Sequence, residues 1–241
     1  MSGTLYGVGL GPGDPELMTL KAHRLISNAK VICYPAADSG PSLARSIAAD
    51  IIPKGALEIS VVLPMRESRQ PAKDVYDQAA DALSLQLESG QDVVTLCEGD
   101  PFFYGSFMYL FERLSQRFAV EIVPGVTSLT ACAAALNRPL TSRMDTLAVL
   151  PGTLPDADLR HRIENAQSIA LMKVGRHLER VKTLLEDMQL IDNAGIVERA
   201  SQANQTVHRL ADYPHATAPY FSMVLIYKGD EAWTLPRSLS S

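Results

Sequence analysis

Cysteine is scarce in this chain of 241 residues, which has three, Cys33, Cys97 and Cys132, far apart in sequence. So few thiols cannot staple a fold of this size, and their spacing matches no zinc site, so no metal is expected. Free thiols suit a reducing compartment, which points to the cytoplasm. Long apolar runs are missing as well: no stretch approaches the roughly 18 to 20 residues of a membrane span. Met1-Ser2-Gly3-Thr4 leads straight into a strand-like segment, so no signal peptide is expected. There is no excess of positive charge either. Lys and Arg number 22 against 27 Asp and Glu, a formal charge of −5, and this argues against non-specific nucleic-acid binding. What the chain does have is apolar residues, at 46%, with 20% charged. That is the composition of a globular protein with a full core and excludes intrinsic disorder.

Short apolar runs alternate with helical patterns. Strands are expected over residues 4–9, 30–34 (stopped by Pro35), 57–63, 92–97 and 119–123. Helices are expected over 15–28, 42–50, 71–89, 102–114 and 129–136. Asp14 is a good N-cap with Pro15 as first helical residue, and Thr127 or Ser128 can cap the alanine-rich helix. Asp92 to Cys97 reads as a strand buried on both faces. This alternation implies parallel strands with right-handed crossovers. Farther on, strands are expected over 146–150, 168–174, 194–198, 206–210 and 220–227, with helices over 156–165 and around Leu178 to Met188. The last three strands lack long helices between them, so that sheet should be mixed. The reading is an α/β protein of two domains, 1–137 and 138–241, hinged near 137–145.

Three glycine-bearing turns follow the first, fourth and fifth strands. Gly7-Val8-Gly9-Leu10-Gly11-Pro12-Gly13-Asp14 tempts a dinucleotide-binding reading, but the third glycine falls on Pro12 or Asp14 depending on the start, and no Walker lysine follows. A tight strand-to-helix turn and a ligand loop are equally open on this ground. Glu98-Gly99-Asp100-Pro101-Phe102-Phe103-Tyr104-Gly105 offers a carboxylate and an aromatic slot; equally, Asp100-Pro101 can cap a helix, and the three aromatics read more readily as core. Val123-Pro124-Gly125-Val126-Thr127-Ser128 offers amides and hydroxyls for a cap or a ligand. In a parallel sheet these loops share the carboxyl edge, so a small adenosine-like ligand could be held by backbone groups without lysine or metal.

No catalytic triad or nucleophile elbow is visible, and His23, His161, His177, His208 and His215 are scattered as surface or core residues. Arg66, Arg69, Arg138, Arg143 and Arg176 read singly as solvated charges. Together they could form a basic cleft suited to a polycarboxylate.

The motifs GVGLGPGDPELMTLKA, EGDPFFYG, VPGVTS and ERAS (198–201) make the chain resemble the tetrapyrrole methyltransferases over essentially its whole length. VICYPA (31–36), VLPM (62–65), residues 98–114, LMKVGRHL (171–178) and PYFSMVLIYK (219–228) are similar to the members that methylate precorrin-2 at C20 to give precorrin-3A. The resemblance implies a tetrapyrrole-methylase fold of two α/β domains with a cleft between them, a homodimer, S-adenosylmethionine as methyl donor and a polycarboxylate tetrapyrrole as substrate. Cobalt-factor II, or another position on a related tetrapyrrole, is the alternative substrate. The resemblance also implies cofactor contacts at Pro12, Glu98, Gly99, Asp100, Phe103, Thr127, Ser128, Met172 and Ala200. Glu98 departs from the related uroporphyrinogen enzymes, which have a second glycine there. The methyl donor is already activated, so alignment and exclusion of water are the main tasks. Lys173 and Tyr220, on expected strands of the second domain, are the candidates for orienting substrate or handling a proton. Tyr220 could equally pack at a sheet edge.

Overall fold

A computed structural model describes residues 1–38, 40–63 and 69–229, with the backbone alone for residues 63 and 69–72. The chain divides into two compact units, Met1–Thr127 and Ser128–Ser241.

In the first unit the strands are β1 (Thr4–Gly9), β2 (Val31–Ala37), β3 (Leu57–Leu63), β4 (Val93–Cys97) and β5 (Ala119–Val123), and they pair in the order β3-β2-β4-β1-β5. Every pairing is parallel. The helices are α1 (Leu20–Ser27), α2 (Leu43–Ile47), α3 (Arg69–Glu88) and α4 (Phe107–Leu114). Side-chain alternation explains why every residue of β4 is buried. Val93 and Cys97 join Leu83 and Leu87 of α3 and Phe107 and Leu114 of α4 on one face. Val94 and Leu96 join Ala22 and Ile26 of α1 and Ala44 and Ile47 of α2 on the other. Burying each such Leu or Ile is worth about 1.5–3 kcal/mol. Gly7 serves this packing, because a Cβ there would lie 2.5 Å from the Phe107 ring.

Three local expectations need correction. Residues 15–28 are not one helix. Asp14 caps a 3-10 turn, Pro15–Leu17, through Oδ1 accepting from Glu16 N at 2.8 Å; Met18 is extended, and Thr19 Oγ1 accepts from Ala22 N at 3.2 Å to start α1 afresh. A hydroxyl cap and an extended residue outcompete continuation of the helix. Pro35 does not stop β2. The strand pairs with β4 only through Cys33 but continues along β3 to Ala37, so the missing Pro N–H lies beyond the β4 ladder. The expected helix from Phe102 begins at Phe107, because the preceding residues form turns anchored by Asp100.

The second unit holds β6 (Leu147–Pro151), β7 (Ser168–Met172), β8 (Ala194–Glu198), β9 (Thr206–Arg209) and β10 (Ser222–Tyr227), in the order β6-β7-β10-β8-β9. Only β6 and β7 are parallel; β10 runs antiparallel to β7 and β8, and β9 antiparallel to β8. With α5 (Ser128–Ala135), α6 (Asp156–Glu164) and α7 (Leu178–Asp187), this makes a mixed α/β layer. One sheet face packs Ile169, Leu171, Ile196 and Val224 on Leu159 and Ile163 of α6 and on Val181 and Leu185 of α7. The division between units falls before α5, whereas the sequence reading set it after residue 137. Helix α5 packs on β10, and Leu136 fills the space over Gly195 of β8. Among the described residues no helix is long and apolar enough to cross a membrane.

The three cysteines are all buried. Burial pushes the thiols of Cys33 and Cys132 up to about 12 and that of Cys97 well above its ordinary value. Thiolate is therefore negligible near neutrality. Folded protein at pH 8 should leave all three unmodified by DTNB over minutes, and urea-unfolded protein should titrate three thiols. Rapid reaction of the folded chain would contradict this packing.

Candidate functional site

The carboxyl ends of β4, β1 and β5 stand level, with Gly9 opposite Cys97 and Val8 opposite Val123. The turns that leave them are joined by backbone. Gly99 N donates to Gly11 O at 2.8 Å, Gly11 N to Gly99 O at 3.3 Å, and Leu10 N to Cys97 O at 2.9 Å. Asp100 ties in the third turn: Oδ2 accepts from Gly125 N at 3.0 Å while Oδ1 accepts from Phe102 N at 2.9 Å. The contact leaves no room for side chains. A Cβ on Gly125 would lie 2.0 Å from Gly99 O, and one on Gly9 would lie 2.6 Å from Gly125 N. Gly99 also has φ +64, which an L side chain adopts only under strain.

The first-unit residues singled out in sequence gather here. Pro12 is buried beside the Gly11–Gly99 bridge, and Glu98, Gly99 and Asp100 leave β4 together. Phe103 N donates to Asp100 O at 3.4 Å, and the Phe103 ring meets Tyr104 edge-on at 5.4 Å. Thr127 ends the turn after β5 and closes the first unit; Ser128, the first residue of α5, opens the second. Burial raises the Glu98 carboxyl above the ordinary carboxylate range. The aromatics are not core. Phe102 and Tyr104 are 48% and 43% exposed, although Phe102 stacks edge-on against Phe111 at 5.2 Å. A turn held by Asp100 leaves these rings outside the helix face that would have buried them.

A second set shares one end of the second sheet. Pro151, Met172, Met223, Ser222, Glu198 and Thr206 lie at linked register positions there. Met172 O accepts from Gly152 N at 2.6 Å, and Ala200 is buried in the turn after β8. Neither Lys173 nor Tyr220 lies in a strand, contrary to expectation. Lys173 has φ +57, which ends β7 at Met172. Arg199 has φ +48, so the β10 ladder begins at Ser222 opposite Glu198, and Tyr220 stands before it, 67% exposed.

Sequence reasoning missed the chain of polar contacts beside them. Tyr213 OH donates to Glu198 Oε1, and Arg199 Nη1 donates to Glu198 Oε2 at 3.2 Å. Burial, and then the Glu198 carboxylate, hold the Tyr213 phenol well above its usual range, so it remains a donor. The signal was available: period-two alternation puts Glu198 on the same face as core Ile196.

Of the proposed basic residues, Arg66 lies outside the described residues and Arg69 is described only as the backbone start of α3. Arg143 sits in a left-handed turn at φ +41, and Arg176 Nε meets His177 Nε2 at 3.2 Å. Arg138 is not a solvated charge. It is 7% exposed, donates to Asn193 O at 3.1 Å, and burial pulls its guanidinium down to about 10.

Comparisons with known proteins agree over nearly the whole chain. The family model described as Tetrapyrrole (Corrin/Porphyrin) Methylases matches residues 4–212. A Mycobacterium tuberculosis protein named Cobalamin biosynthesis protein CobIJ is 43% identical over 94% of this chain, which spans about half (46%) of that relative's length. A Sinorhizobium protein named Precorrin-2 C(20)-methyltransferase is 36% identical over 93% of this chain and 95% of its own. The solved Uroporphyrin-III C-methyl transferase of Thermus thermophilus, complexed with S-adenyl homocysteine, superposes with a TM-score of 0.69 at 28% identity. It covers 92% of this chain and 97% of its own.

Two variants test the edge of the first sheet. Gly125→Ala should lower stability by about 3 kcal/mol, because backbone must move to admit the methyl; an unchanged Tm would refute the close contact. The folded state favours protonated Glu98, so its contribution is present at low pH and is lost as pH rises from the ordinary carboxylate range through the raised value. Glu98→Gln should therefore be more stable than the parent at pH 7 and equal to it below pH 4 in urea unfolding. Equal stability at both would contradict the burial penalty.

Proposed function

The chain belongs to the tetrapyrrole (corrin/porphyrin) methylases, and from that premise we propose that it transfers a methyl group from S-adenosylmethionine to C20 of precorrin-2, giving precorrin-3A in cobalamin biosynthesis. The observation that carries this reading is the stitched edge of the first sheet, where three turns meet around Asp100. The likeness to the Sinorhizobium enzyme, nearly end to end, supports the substrate.

The donor set suits the cofactor. Two carboxylates, Glu98 and Asp100, stand with glycine backbone and the Thr127 hydroxyl, and the three turns contain no lysine. That chemistry favours a cationic nucleoside over a phosphate. Each Asp100 oxygen accepts one hydrogen bond and retains a lone pair for a ribose hydroxyl or an ammonium. We assign the binding of this group to Pro12, Glu98, Gly99, Asp100, Phe103 and Thr127, with Ser128, Met172 and Ala200 from the second unit. When bound, S-adenosylmethionine supplies an activated methyl on a sulfonium.

The protein's own residues then have limited tasks. The glycine contacts fix the loop backbone, so little is reorganised at the moment of reaction. An electron-rich meso carbon of the reduced macrocycle is the nucleophile, and its proton is lost after methylation. Lys173 and Tyr220 are assigned to orienting the substrate or receiving that proton, and Arg143 and Arg176 to holding its carboxylates. We place the enzyme in the cytoplasm as a homodimer.

Asp100→Ala removes the acceptor for two amides and should weaken S-adenosylhomocysteine at least tenfold by calorimetry, in line with about 1–3 kcal/mol per buried group left unpaired. Incubating the enzyme with labelled methyl donor and either metal-free or cobalt-loaded dipyrrocorphin, read by mass and by NMR of the methyl, should give C20-labelled product from the metal-free substrate. Product from the cobalt form alone, or label at another carbon, would replace the assignment.

A further inference from the structure

Side chains of successive strand residues point to opposite faces, which would send Arg199 away from Glu198. The left-handed backbone at Arg199 breaks that alternation, and its guanidinium returns to the carboxylate before it. Glu198 is itself fixed. Its side chain is 10% exposed and held from the other side by the buried Tyr213 phenol. The backbone is equally pinned, with Arg199 N donating to Phe221 O at 2.7 Å and Ser201 N to Gln205 Oε1 at 2.7 Å. The ion pair therefore aims a cation that is 32% exposed, and Glu198 is the one hydrogen-bond partner of its guanidinium among the described residues. A guanidinium has five donors in a planar fork, so most of its capacity faces outward.

Two further observations stand at the same place. Tyr220 and Phe221 precede β10 as an exposed edge-to-face pair, 5.0 Å between ring centroids, with the Phe221 carbonyl bound to Arg199. Ser222 and Thr206 flank Glu198 in register across β10, β8 and β9, and both buried hydroxyls lack a hydrogen-bond partner among the described residues. Exposed aromatic rings beside an oriented guanidinium suit a ligand that is flat and apolar in its body and anionic at its rim. Left-handed backbone at three positions here, Lys173, Arg199 and Ser201, costs free energy that the surrounding contacts must offset.

We propose that Arg199, aimed by the buried Glu198–Tyr213 pair and set beside Tyr220 and Phe221, is a further residue of the second unit that binds a peripheral carboxylate of the tetrapyrrole. The assignment rests on the function proposed above and adds a cation that the basic residues picked out in sequence did not include. Glu198 and Tyr213 are positioning residues acting through Arg199. The bidentate fork makes lysine a poor substitute.

The test is anaerobic titration of the full chain with precorrin-2, followed by absorbance, alongside calorimetry with S-adenosylhomocysteine. Arg199→Ala should raise the tetrapyrrole Kd at least tenfold and leave the S-adenosylhomocysteine Kd within twofold. Arg199→Lys should recover only part of the loss. The fall in tetrapyrrole affinity between 0.05 and 0.5 M salt should be shallower in Arg199→Ala than in the parent. Tyr213→Phe, which keeps the ring but frees one side of Glu198, should raise KM about threefold with kcat little changed. Tetrapyrrole affinity unchanged in Arg199→Ala, or equal loss of both ligands, overturns the assignment of Arg199. A folded parent chain that binds S-adenosylhomocysteine but no tetrapyrrole instead overturns the proposed substrate, and this inference with it.

Discussion

The site in the first unit depends on backbone touching backbone. Gly9 ends β1, and Gly99 and Gly125 come from the turns after β4 and β5, yet their main chains lie so close that a single methyl on Gly125 would overlap a carbonyl oxygen. Such an approach would strand polar groups if the amides found no acceptors. The Gly11–Gly99 bridge and the Asp100 carboxylate supply them. Asp100 thus builds the site, closing one turn and fastening the next, whichever ligand it also meets.

The second unit reaches a comparable result by interrupting its strands. Left-handed residues end β7 and β8 at the same end of the sheet, so Lys173 and the Arg199–Ser201 turn leave it on either side of β10. The same interruption delays the start of β10 and leaves Tyr220 and Phe221 outside the ladder. A regular strand would have buried or paired these groups. Breaking the ladder exposes cations and rings while the core just behind them, Ile196, Val224 and Leu171, stays closed.

The units differ in how readily they could be read. The β/α alternation of the first half follows from period-two and period-3.6 patterns, and the mixed sheet of the second from the want of helices between its last strands. The errors share a cause: a tertiary partner overruled a local preference. Thr19 restarted a helix that periodicity joined to Pro15. Pro35 was tolerated because the pairing of β2 with β4 had already ended at Cys33. Arg138 was buried against Asn193, a contact that charge alone does not announce. The glycines of the first loop looked like a ligand fingerprint with faulty spacing; Gly7 makes room for Phe107 and Gly9 for the neighbouring turns.

By itself the sequence determined which segments could be strands and helices, that three glycine turns would follow strands, and which family the motifs resemble. Those properties are local, written in side-chain periodicity and in backbone freedom at single residues. Tertiary structure decided which strands became neighbours and therefore which turns could meet. Strand order is set by packing both faces of each sheet at once, and the sum of those contacts is spread over the whole chain. For the same reason Glu198, Tyr213 and Arg199 became one unit only when β8 and the turn after β9 were brought together.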